Sequence, residues 1–158
     1  MNQSTKYGLI TAAALIIYFI ILDVLGMGSQ VYLLFFNAII ASVGVFLTIR
    51  GVYDIQEEHF NYMEGFMSGI KMGFIATTIY TVFVAIYIFE INQDLTQELR
   101  SQIEIAGTGI EAAIILFIFL SGIATAIVAS LVVIPLYKRT WNTRRVRAQQ
   151  DPLNGKQQ

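Results

Sequence analysis

Four stretches of this chain run for about 20 residues almost without a charged side chain, the length a helix needs to cross a bilayer. The first covers 7–27 and is uncharged once Lys6 is passed, until Asp23 near its far end. The second covers 31–49 and stops at Arg50. The third covers 65–89, interrupted only by Lys71, and ends at Glu90. The fourth covers 112–137 and contains no charge. A charge held at mid-membrane costs roughly 2.5–3.5 kcal/mol on insertion scales, so charge-free runs of this length are the mark of bilayer-spanning helices. At about 1.5 Å per residue the fourth run exceeds a hydrocarbon layer of roughly 30 Å, which predicts tilt or projection beyond it. Of the 158 residues only 13% are charged, where a soluble domain has about a quarter. The expected fold is an all-α integral membrane four-helix bundle. It forms a single transmembrane domain over 7–137, followed by a basic cytoplasmic tail over 138–158 that reads as disordered.

The segments between the runs fit this plan. Gly26-Met27-Gly28-Ser29-Gln30 makes a tight turn with two glycines available for positive φ. Residues 51–64 form a polar connection that holds Asp54, Glu57, Glu58 and the only histidine, His59. Between the third and fourth runs Leu95, Leu99 and Ile103 recur every four residues among Gln, Glu and Arg. That spacing predicts a short amphipathic helix on the outer membrane surface. Thr108-Gly-Ile-Glu111 has capping-box spacing for the start of the fourth helix.

Orientation follows from the basic residues. Lys6, Arg50, Lys138, Arg139, Arg144, Arg145, Arg147 and Lys156 all fall on one side if the chain crosses four times. The opposite side has Arg100 with Asp23, Glu90, Asp94, Glu98, Glu104 and Glu111. Positive residues favour the cytoplasm, so both termini are expected there. A competing reading takes Lys6, the first apolar run and Gly26-Met27-Gly28 as a signal peptide. Asp23 sits where such an apolar region should end cleanly, and cleavage would leave three spans.

Within the spans, the clearest pattern is a stripe at intervals of four: Gly65, Gly69, Gly73, Thr77, Thr81 and Ala85. The fourth run carries Gly122-Ala126-Ser130 and Ser121-Thr125-Ala129. Small residues at this spacing let helix backbones approach closely. The stripe either packs the third helix on the fourth within one bundle, or binds another subunit. Lys71 is the one basic residue inside a span, about two turns from the cytoplasmic end. It either snorkels to the interface, with Glu64 on the same face to neutralise it, or marks a solute or lipid-headgroup site. Asn37, mid-span, should hydrogen-bond to another helix. Asp23, Glu90, Asp94 and Glu111 read either as a cation-attracting outer rim or as hydrated groups. Pro135 frees the carbonyl of Leu131 and predicts a local bend.

Catalytic constellations are missing from the pattern. With no cysteine, disulfides, thiolate metal sites and cysteine nucleophiles are excluded. His59 beside Glu57 and Glu58 lacks the further ligands of a metal site. No phosphate loop or serine elbow occurs, so neither catalytic residues nor a cofactor is expected. The tail, with Trp141 among its arginines, reads as an anchor on anionic lipid and not as a nucleic-acid binder.

The segment Phe60-Asn-Tyr-Met-Glu64-Gly65-Phe66-Met-Ser-Gly69-Ile-Lys71-Met-Gly73-Phe74 resembles the opening of the third helix in a family of small bacterial membrane proteins. That family is known as domain of unknown function number four-one-nine-nine. Ile91-Asn-Gln-Asp94 and Ser121–Ser130 are similar to its loop entry and its small-residue final helix. The resemblance implies a bacterial inner membrane and the same four-span plan, and it supplies no catalytic residue. The expected role is non-enzymatic: structural, scaffolding or modulating a partner, in contact with lipid and with a second copy or another membrane protein. The alternative is a subunit of a small transporter or channel, motivated by Lys71, Asn37 and the acidic outer residues.

Overall fold

A computed structural model of the chain describes residues 2–27, 33, 35–56, 61–91 and 110–137. Among these residues the structure is all helical, with four long helices and no strand. They are α1 (Gln3–Val24), α2 (Phe35–Gln56), α3 (Tyr62–Ile86) and α4 (Ile110–Val133). A π-helical turn, Tyr87–Ile91, continues α3, and a 3₁₀ turn, Ile134–Tyr137, continues α4. Among the described residues four helices are long and apolar enough to cross a membrane.

The helix ends follow local chemistry. Asn61 sits in extended conformation before α3, and its side chain accepts a hydrogen bond from the Met63 N–H at 3.0 Å. This satisfies one of the orphan donors of the first turn, and Glu64 there complements the helix dipole. At the other end of α1, Gly26 takes φ 70°. Its N–H reaches the Asp23 carbonyl at 2.9 Å, and the Met27 N–H reaches the Leu22 carbonyl at 2.8 Å. This is the Schellman closure that a glycine with positive φ allows. At Pro135 the missing N–H removes a rung of the α ladder, and the helix passes into the 3₁₀ turn one residue earlier.

α2 does not end where its apolar run does. It continues through Arg50 to Gln56, with Arg50 paired to Asp54 at 3.8 Å on its exposed face. A charge marks the edge of an apolar segment without stopping a helix, because arginine is a good helix former. The outer amphipathic helix, the Thr108 cap, the His59 loop and the tail beyond Tyr137 lie outside the described residues.

α3 is the central helix and packs on all three others; α2 also touches all three. α1 and α4 occupy opposite corners. Consecutive helices run antiparallel. One cluster joins all four helices through Ala12, Val45, Ile49, Met72, Ala126 and their neighbours. A second joins α1 to α3 and its π turn through Leu15, Phe19, Tyr80, Val84 and Ile88. There Phe19 meets Tyr80, Phe83 and Tyr87 edge-on, at centroid distances of 5.2–6.4 Å. Such edge-to-face pairs each add about 0.5–1.5 kcal/mol beyond buried area.

Candidate functional site

Three places hold the polar and small residues singled out above. The first is the seam between α3 and α4. Gly69 faces Ser130, Gly73 faces Ala126, and Thr77 faces Gly122. The paired numbers rise by four on α3 as they fall by four on α4, so each contact lies one helical turn from the next. A methyl added at Gly73 would overlap the Ala126 Cβ, and one at Gly122 would stand 2.6 Å from the Thr77 side chain. Gly65 and Thr81 are also buried along the stripe, and Ala85 at its far end is half-buried. Ser130 is fully buried and donates to the Ala126 carbonyl at 2.7 Å, which removes the cost of an unpaired hydroxyl.

Two close approaches fall outside the predicted stripe. Gly44 on α2 receives the Thr11 side chain, and Gly8 on α1 receives Ile75 and the Met72 carbonyl of α3. The signal was present as Gly8-x-x-x-Ala12 and Gly44-x-x-x-Thr48, shorter versions of the same small-residue spacing.

The second place is a cleft between α2, α3 and α4. Asn37 on α2 donates from Nδ2 to the Tyr80 hydroxyl on α3 at 3.1 Å. Thr77, Ser121, Gly122 and Thr125 complete a cleft of about 80 Å³. Asn37 Oδ1 is buried there with no hydrogen-bond partner among the described residues.

The third is a groove of about 520 Å³ at the end of the bundle where α1 and α3 begin and α2 ends. Lys71 and Glu64 both line it, with Gln3, Gln56 and Ser68. The two charges are not paired with each other among the described residues; the Glu64 carboxylate instead accepts from Gln56 Nε2. Both charged side chains are exposed. Val52, Ile55, Met63 and Met67 supply an apolar flank.

At the opposite end Tyr87 donates from its hydroxyl to Asp23 Oδ2, tying the π turn to the end of α1. Glu90 is exposed. Asp94 lies outside the described residues, as does the side chain of Glu111, so no rim of four carboxylates is described. Among the described residues no group of three or more His, Cys, Asp or Glu side chains is placed to hold a metal ion.

Among the described residues the arrangement offers close helix packing, a small cleft beside Asn37 and a groove lined by Lys71 and Glu64. Neither a protein-family model, nor a curated protein, nor a solved structure matches this chain.

Proposed function

We propose that the chain is a multi-pass protein of a bacterial inner membrane, with both termini cytoplasmic, which acts without catalysis by holding or modulating a partner in the plane of the bilayer. The observation that carries this reading is the asymmetry of α4. It has the most apolar of the four candidate spans, yet only 11% of that stretch is buried, against 44% for α3. Phe117, Leu120, Val128 and Leu131 stand more than half exposed along it. Gly122, Ala126 and Ser130 are turned inward onto α3, so most of what it offers outward is apolar. An apolar face of this breadth is suited to lipid and to lateral association with a second copy or another spanning protein. The basic residues concentrated at one end of the sequence supply the orientation.

Because the chain has no cysteine, single cysteines report cleanly. Gln158→Cys should be labelled by a membrane-impermeant thiol reagent only after the inner face is exposed, and Ser29→Cys from outside in intact cells. Labelling of Gln158→Cys from outside would overturn the orientation. Leu120→Cys should cross-link within the membrane to a second copy or to one protein partner, whereas Ile17→Cys, equally exposed on α1, should not. Equal behaviour at the two positions would remove the scaffold reading.

A second reading, a subunit of a small conduit, draws on the Asn37 cleft and Lys71. It expects reconstituted vesicles to show a solute flux that Lys71→Ala lowers.

A further inference from the structure

Several hydroxyl groups on this bundle satisfy themselves. Ser42, Thr48, Thr78, Thr125 and Ser130 each donate to the carbonyl four residues back, at 2.7–2.8 Å. That local bond lets a hydroxyl sit on a helix without a partner from elsewhere. Thr77 departs from it. It is only 6% exposed and lines the cleft between α2, α3 and α4. Its hydroxyl makes no hydrogen bond among the described residues. It faces α4, where a Cβ added to Gly122 would stand 2.6 Å from both its Oγ1 and its Cγ2. Asn37 Oδ1, on the same cleft, is wholly covered, and the Thr77 oxygen is not. Ser121, next to Gly122, also lines the cleft; it is exposed, and its hydroxyl is likewise unpaired among the described residues. Thr125, one turn further along α4, donates to the Ser121 carbonyl and keeps its lone pairs.

A hydroxyl held among apolar groups without a partner is unfavourable. Two on one cleft call for a molecule that both donates and accepts. A lipid methylene would fill the space and leave both hydroxyls unpaired. No charged side chain lines the cleft, so an ion would enter without a counter-charge. We infer that the cleft is a binding site for water, held between the Thr77 and Ser121 hydroxyls and the Thr125 oxygen. Its volume is about 80 Å³, well above the roughly 10–15 Å³ that the centre of one water needs, and about three partners are usual for a buried water. Ala38, Ala41 and Gly122 are too small to close the space. At about 1.5 Å per residue Thr77 stands roughly 22 Å along α3 from Tyr62, well inside the helix. A neutral solute of water's size, with the same donors and acceptors, meets the same groups. The cleft thereby gives the conduit reading a stopping point inside the bundle. The inference rests on the reading that the bundle lies in a bilayer.

The test uses the full chain, with isotopically labelled threonine, in vesicles of fully deuterated phosphatidylcholine. Solid-state NMR follows proton magnetisation as it passes from water to each threonine. Thr78 is the control: it adjoins Thr77 on α3 but donates to the Phe74 carbonyl at the exposed surface. Thr5, at the start of α1, is the reference for interfacial water. On the unmodified protein Thr77 should take up magnetisation nearly as fast as Thr5 and several times faster than Thr78. Ala41→Leu, which fills the cleft, should bring Thr77 down to the Thr78 rate and leave Thr5 unchanged. Transfer to Thr77 no faster than to Thr78 would overturn the inference, as would fast transfer that survives Ala41→Leu. Thr77 and Thr78 both matching Thr5 would place this depth in water, which overturns the membrane reading and this inference with it.

Discussion

α3 and α4 are partners along one seam, yet they solve opposite problems. α3 touches every other helix and contributes Gly69, Met72, Gly73, Ala76, Thr77, Tyr80 and Val84 to the interior. α4 touches α2 and α3 from one corner and leaves Leu116, Phe117, Leu120, Val128, Leu131 and Val132 open. The more apolar helix is the less buried one. In water that would be inverted, because exposed apolar area is unfavourable there. In a solvent as apolar as leucine, greasy residues gain little from turning inward. Small residues, which let backbones approach, gain more. The difference teaches that along the seam between these two helices smallness, more than hydrophobicity, marks the inward face.

The comparison can be broken by deletion, by insertion and by loss of a single hydrogen bond. The largest effect is expected from Met72→Ala, at a fully buried site on α3, with about 2–5 kcal/mol lost to the cavity. The same truncation at Leu131, 58% exposed on α4, should cost less than about 0.5 kcal/mol. Reversible unfolding in mixed micelles measures both, and comparable losses would end the distinction. Next comes Gly73→Val, which drives a branched side chain into Ala126 and should cost about 1–3 kcal/mol by overpacking. Ala124→Val, on the exposed side of α4, adds similar bulk to open space and should be close to neutral. A loss at Ala124 matching that at Gly73 would mean that α4's outer face is occupied by something as close-packed as α3.

A smaller effect is expected from Tyr80→Phe, which removes the acceptor of the Asn37 amide. Interhelical hydrogen bonds of this kind average about 0.6 kcal/mol in double-mutant cycles. The cycle with Asn37→Leu should return a coupling of about that size, and additivity would show that the bond contributes nothing. The smallest is expected from Arg50→Gln, which removes an exposed ion pair with Asp54 and should change stability by no more than about 0.5 kcal/mol.

Much of the fold was legible in the sequence because helices long and apolar enough to cross a bilayer are marked by the exclusion of charge. The charge-free runs located four helices, and the interval-four stripe is buried along α3 at each of Gly65, Gly69, Gly73, Thr77 and Thr81. What escaped has physical reasons. α2 outruns its apolar segment because Arg50 and Asp54 suit an exposed helix face as well as a loop. Tyr62 begins α3 ahead of Gly65 because Asn61 caps it, and a single asparagine among polar neighbours is a faint signal. The company of Lys71 was the hardest to read. Glu64 lies on its own helix and is visible in sequence spacing, but Gln3 and Gln56 arrive from two other helices. Only tertiary structure brings these side chains to the same groove.

The seam between α3 and α4 has a property beyond holding the two together. Its teeth repeat with the pitch of the helix, about 5.4 Å. Sliding α4 by one tooth would set Gly69 against Ala126 and Gly73 against Gly122, again small upon small. The small residues alone would therefore accept more than one register along the seam. The stops are the bulky residues beyond the teeth, because the same slide would press Thr77 onto Ile118. Ile118 therefore stands against that slide and holds α4 in the register observed.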